Sequence, residues 1–262
     1  MNGTPASAGW GWVKQGFALF RKQPGGLSTL FLAYMIVTAL LSLVPLLGQL
    51  AQGVLLPVFS IGFMRAAQHI QQDRPVVPGL LGTGFHKPLL GRLCVLGAVH
   101  LVAAIVAAGA LLLIANGDVL TQIATGKAQP DPELLRDSGL FPGMMAALLL
   151  YVPAVTVLCF AVPLVYWSGM GPGKALFYAF FAAKRAFLAF VVFAFSLFAI
   201  VMFGSQVVLL VLGFNAFSMA LLRVLFVLLF GVAHCALYAA YCQIFGTPQL
   251  EGAPSAKGPS GL

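Results

Sequence analysis

Charge is what this sequence has least of. Only 8% of its 262 residues are charged, and six of them are acidic. A soluble domain of this size covers its surface with far more charge, so that class is excluded. Cysteine is sparse too. Cys94, Cys159, Cys235 and Cys242 all lie within or beside apolar runs. They read as small apolar packers, and no disulfide is expected. The chain contains no Ser-His-Asp set, CxxC pair, HExxH motif or paired carboxylate. No enzyme, cofactor or metal centre is expected from it.

Apolar residues fill the space that charge leaves. They make up 61% of the chain, and the mean hydropathy is +1.00. They gather in runs long enough to cross a bilayer, which takes roughly 20 residues. The fold class that follows is all-α: a polytopic membrane bundle of six transmembrane helices. The spans fall at about 27–47, 48–65, 93–114, 140–167, 187–212 and 219–244. The first pair is short enough for a re-entrant hairpin, although two full spans fit it better. Pro57 predicts a kink in the second span, and Pro153 and Pro163 predict interruptions of the fourth. Residues 1–9 read as a disordered start, 10–245 as one membrane domain, and 246–262, rich in Gly, Pro and Ser, as a flexible tail. The first apolar run starts near Leu27 and is too long for a signal h-region, so the N-terminus is expected to be retained.

Between the spans, one arrangement recurs. Tyr166-Trp167 closes an apolar run, Gly169 to Gly173 makes a turn, and an aromatic-rich segment follows with Lys174 near its start and Lys184-Arg185 at its end. This is the pattern of a chain that leaves a bilayer, lies along its surface and re-enters. At the N-terminus, Trp10, Val13, Phe17 and Phe20 share one helical face, with Lys14 and Arg21 beside it and Lys22 at its end. A looser copy runs from Gly79 to Arg92. Each of these interfacial elbows precedes two apolar segments, which reads as three repeats of a helix plus a hairpin. Identity between the repeats is thin, and any six-span chain must place basic residues at such points, so common ancestry stays open.

The net charge of +8 raises nucleic acid as a partner, but the fourteen basic residues border apolar runs and form no stripe. Anionic lipid fits them and nucleic acid does not. The elbows, the exit of the second span and the tail hold eleven basic residues against Asp73 and Glu251, whereas the loop 116–139 holds two basic and four acidic ones. The positive-inside rule then puts both termini and all elbows in the cytoplasm of a bacterial inner membrane. Lys14, Arg21, Lys22, Lys184 and Arg185 become candidate lipid-headgroup contacts.

Two histidines stand about 12–15 Å deep in the third and sixth spans, His100 and His234. Ionisable residues at that depth often line a wet cavity, which would make a proton or metal site. The other reading is a neutral histidine bonded to a neighbouring helix, and the absence of any carboxylate in the spans favours it. Arg223, Ser205 and Gln206 near the outer ends of the last spans read as snorkelling and interhelical bonding ahead of an anion pocket. The Gly169-Met-Gly171-Pro-Gly173-Lys174 turn fails as a phosphate loop, since Ser168 and Ala175 occupy its defining positions.

Three stretches carry a resemblance: Gly9 to Pro24, Val58 to Met64 and Gly173 to Phe180. Through them the chain resembles an uncharacterised family of six-span proteobacterial inner-membrane proteins. More distantly, its elbow-and-hairpin plan is similar to the membrane-anchor domain of some glycerophosphodiester phosphodiesterases. The resemblance implies a fold and brings no catalytic residues, and no phosphodiesterase activity is expected from it. Two functions remain open. One is a non-enzymatic scaffold or partner subunit that contacts anionic lipid, a protein partner or a second copy of itself. The other is a small-molecule or lipid transporter with a polar cavity around His100 and His234.

Overall fold

A computed structural model describes residues 4–125 and 138–248, and every regular element among them is helical. In chain order these are α1 (Ala8–Lys22), α2 (Pro24–Ser42), α3 (Leu47–Gln71), a 3-10 segment (Pro78–Phe85), α4 (Leu89–Ile114) and α5 (Gly117–Thr125). Then follow α6 (Leu140–Trp167), α7 (Pro172–Arg185), α8 (Phe187–Leu212) and α9 (Ala216–Phe245). The loop charges Lys127, Asp131, Glu133, Arg136 and Asp137, and the tail charges Glu251 and Lys257, lie outside the described residues.

Helices α2, α3, α4, α6, α8 and α9 run to 19–30 residues and are apolar enough to cross a membrane. Even the shortest, α2, is about 28 Å long, close to the thickness of the hydrocarbon core. The first pair is thus two helices, each long and apolar enough for a full span. Both α3 and α6 stay helical through their prolines, so the expected interruption of the fourth span is absent. Neighbouring helices can re-satisfy the carbonyls that proline frees, which is why membrane helices tolerate it. Large apolar side chains point outward all round, as with Leu113 and Leu210, each 88% exposed. Only a lipid solvent makes such a surface stable.

The turns at the far end are built locally. A Cβ on Gly48 would stand 1.8 Å from the Leu41 carbonyl oxygen, so only glycine lets α3 fold back against α2. Before α9, Gly213 takes φ +69°, and the Asn215 side chain accepts the Phe217 and Ser218 amides at 2.9 and 3.0 Å. The Ser218 hydroxyl accepts the Asn215 amide in return, completing a capping box.

The elbows precede the hairpins as the sequence implies: α1 before α2–α3, the 3-10 segment before α4–α6, and α7 before α8–α9. The second is shorter than expected. Helix α4 already begins at Leu89, so Arg92 belongs to its first turn and the elbow is the 3-10 segment alone.

Nearly all the buried apolar residues lie in the elbow half of the bundle. They include Trp12, Ile61, Met64, Leu93, Phe160, Ala179, Phe190 and Ala236, with Leu27, Phe31, Phe63, Ile70 and Tyr238 in an adjoining cluster. Helix α3 is the centre, buried along most of Pro57–Ile70 and packed against α2, α4, α6, α9 and the 3-10 segment.

Helix α1 is placed differently from the sequence reading. Its buried face is Gly9, Trp12, Val13, Gly16 and Phe20, while Trp10 is 46% exposed. Glycines decide this. A Cβ on Gly9 would meet the Ala189 carbonyl oxygen at 2.0 Å, and one on Gly16 the Val232 oxygen at 2.7 Å. The backbone of α1 thus seats directly on α8 and α9, and the Trp12 indole N–H donates to Gln243 Oε1. A count of aromatic spacing misses a face whose contact residues have no side chain.

Candidate functional site

The elbow side of the bundle concentrates exposed cations beside aromatic rings. Helix α7 starts on Pro172, whose fixed φ suits a first turn. Ala175, Ala179 and Ala183, four residues apart, make a buried ridge on one face. The opposite face carries Phe177, Tyr178, Phe180 and Phe181, all between 46% and 61% exposed. Alanines against protein and aromatics outward is the division expected of a helix lying in a membrane interface. Lys174 stands 6.0 Å from the Tyr178 ring. Lys184 and Arg185 occupy the last turn, where cations favour the helix dipole. Both are exposed and without an ion-pair partner among the described residues.

An open groove of about 450 Å³ lies between α7 and the end of α9. Phe177, Tyr178, Phe181 and Phe245 form its apolar wall, and Thr4, Arg185 and Gln243 supply polar groups. On α1, Lys14 and Arg21 are exposed without an ion-pair partner among the described residues, whereas Lys22 meets Asp73 at 3.0 Å. With side chains 50% and 83% exposed, that pair contributes little, since solvent screens it.

The two histidines go to different helix pairs. His100, buried on α4, shares a 2.8 Å hydrogen bond with the Tyr151 hydroxyl of α6. His234, on α9, has Nδ1 3.0 Å from its own Phe230 carbonyl, and its ring lies 4.8 Å from Phe63 of α3. No three His, Cys, Asp or Glu side chains gather into a metal-binding group among the described residues. At the far end, Arg223 is exposed and the Ser205 hydroxyl donates back to Met202 of its own helix.

A polar cluster that sequence reading passed over sits where α3, α6 and α9 converge at the elbow end. Arg65 Nη1 donates to the Tyr166 hydroxyl, and its guanidinium lies 5.7 Å from that ring. Tyr238 donates to Gln71 Oε1 at 2.6 Å. Gln68 is fully buried and donates to the Pro248 carbonyl at 3.1 Å. The Trp167 ring packs against Tyr238 and Tyr241. The available signal was Arg65, Gln68 and Gln71 recurring at three-residue spacing on the last two turns of α3.

Comparison with known proteins places this architecture. A probable inner membrane protein of Burkholderia thailandensis is 32% identical over 259 residues, covering 95% of this chain and 94% of that protein. No protein-family model matches the chain, and no solved structure is similar to it. Identity at this level along nearly the whole of both chains means a shared fold and descent. This is an integral, multi-pass inner-membrane protein, and it belongs to the family of that Burkholderia inner-membrane protein.

Proposed function

We propose that the protein is a non-enzymatic membrane scaffold that gathers anionic phospholipid on its elbow side, with both termini and the elbows in the cytoplasm. The observation that carries this reading is the division of α7: buried alanines on one face, exposed aromatics on the other, and Lys184 and Arg185 at its end, without an ion-pair partner among the described residues. Rings of this kind seat at the headgroup level while adjacent cations meet lipid phosphates. The groove beside Arg185 offers acyl chains an aromatic wall. The charge asymmetry of the sequence supports the orientation. A protein partner or a second copy would dock on the same basic surface.

The alternative is a transporter of small molecules or lipids with a polar cavity around His100 and His234. It has less to rest on, because the two side chains have separate partners on separate helices.

Each basic residue near an anionic surface contributes about 1 kcal/mol. Replacing Lys184 and Arg185 together by glutamine is expected to lower retention of phosphatidylglycerol about thirtyfold, since 1.4 kcal/mol is a factor of ten. Native mass spectrometry of protein extracted with its lipids reads this directly. Unchanged anionic-lipid adducts in the double variant would refute the elbow role.

A further inference from the structure

The cluster at the convergence of α3, α6 and α9 has polar groups left over. Arg65 makes one hydrogen bond through Nη1, but its Nε is buried with no partner among the described residues. The Trp167 indole N–H and Gln68 Oε1 are likewise buried and unpartnered among them. Gln68 is 0% exposed, so its carbonyl oxygen cannot reach bulk water. Buried polar atoms are nearly always bonded, and each one that is not needs an explanation. The charge is also unmatched among the described residues: their one ion pair is Lys22–Asp73, and none of their carboxylates pairs with Arg65.

Two unused donors, one of them on a cation, suit an anionic oxygen group, and the unused acceptor suits a hydroxyl. A second cation stands close by. Arg92 donates at 3.0 Å to the carbonyl of Gly169, in the turn just after Trp167. Phosphate suits this set better than a planar carboxylate, because its oxygens diverge and meet donors arriving from different helices. Access is open at the same end, where Gln71 and Ser168 are exposed and Arg65, Tyr166 and Trp167 half-buried.

We infer that Arg65, Trp167 and Gln68 form a binding site for a phosphate group that carries a free hydroxyl, entered from the elbow side of the bundle. Either a phosphoglycerol lipid headgroup or free phosphate supplies that chemistry. The site is separate from the elbow cations and stands whether or not they bind lipid.

The test uses the full chain in a neutral detergent, titrated calorimetrically with inorganic phosphate and with dihexanoyl phosphatidylglycerol. Dihexanoyl phosphatidylcholine, which has no headgroup hydroxyl and no net charge, is the control and is expected not to bind. Saturable binding of inorganic phosphate identifies a soluble ligand, and saturation by the phosphoglycerol lipid alone identifies a headgroup. In either case Arg65→Gln should weaken binding about 10- to 100-fold, the range for a charged hydrogen bond. Trp167→Phe keeps the ring, removes the N–H and should weaken it roughly 2- to 10-fold. Arg223→Gln, which replaces an exposed arginine at the far end of the bundle, should leave it unchanged. If Arg65→Gln does not fold, Trp167→Phe decides. Absence of saturable binding to the unmodified chain, or equal binding by Trp167→Phe and the unmodified chain, would overturn the assignment.

Discussion

Gly97 offers the sharpest test of how the bundle is held together. It sits on α4 facing α3, and a Cβ added there would stand 2.0 Å from the Val54 carbonyl oxygen and 2.6 Å from its carbon. Ordinary contact begins near 3.4 Å, so Gly97→Ala must part the two helices by roughly 1.4 Å in an interior that packs like a crystal. The obstructing atoms are helical backbone and cannot swing aside. Without a hydrophobic force between helices in lipid, such close approach is what favours association. The expected cost is about 2–3 kcal/mol, the upper part of the range for overpacking. Gly53→Ala is the matched control. It lies on α3 facing α4, but its Cβ would meet Leu101 Cδ2, the end of a flexible side chain, at 2.3 Å. A rotamer change relieves that clash, and the cost should stay below about 1 kcal/mol. Gly109→Ala meets nothing within 4 Å and should be neutral, or stabilising by up to about 1 kcal/mol through reduced chain entropy. Reversible unfolding in mixed micelles, titrated with a denaturing detergent, ranks the three variants. Equal losses for Gly97→Ala and Gly53→Ala would refute the claim that backbone proximity, and not local volume, holds α3 to α4.

Two further expectations follow from the same packing. Trp12→Ala removes a fully buried ring that lies 5.2 Å from Phe190 and 6.2 Å from Phe193. It should cost about 3–5 kcal/mol in that titration, whereas Trp10→Ala should cost less than about 1 kcal/mol; equal effects would mean that α1 lies with its other face inward. Tyr151→Phe takes the partner from His100 Nε2 and should destabilise by about 0.6–1.7 kcal/mol, as interhelical bonds in membranes do. Infrared or NMR detection of an unchanged imidazole hydrogen bond in that variant would show that the pair is not what holds the histidine.

The groups that invite chemical attention in the sequence are not the ones the fold gathers at the elbow end of α3. His100 and His234 stood out because histidine is rare in apolar runs, yet each bonds through one ring nitrogen to a separate partner, and His100 Nδ1 is buried without a partner among the described residues. Arg65 looked like a membrane exit marker, which its position at the elbow end of α3 supports. What makes it unusual is that Tyr166, 101 residues away, occupies only part of its guanidinium. No spacing rule reports whether a donor is already satisfied.

Six helices long and apolar enough to cross a membrane, each pair preceded by an elbow, were legible from the chain alone. They follow from the length of apolar runs and from where basic residues interrupt them, which are local properties set by the thickness and dielectric of a bilayer. The facing of α1, the helical continuity through Pro153 and Pro163, and the assembly of Arg65, Gln68 and Trp167 were decided by the tertiary structure. Each depends on a surface supplied by a distant segment: the backbones of α8 and α9 against glycine, neighbours for the prolines of α6, and three helix ends meeting at one point. Run length is written in one stretch of sequence, but close approach and hydrogen-bond satisfaction belong to pairs of stretches, and only the folded bundle brings those pairs together.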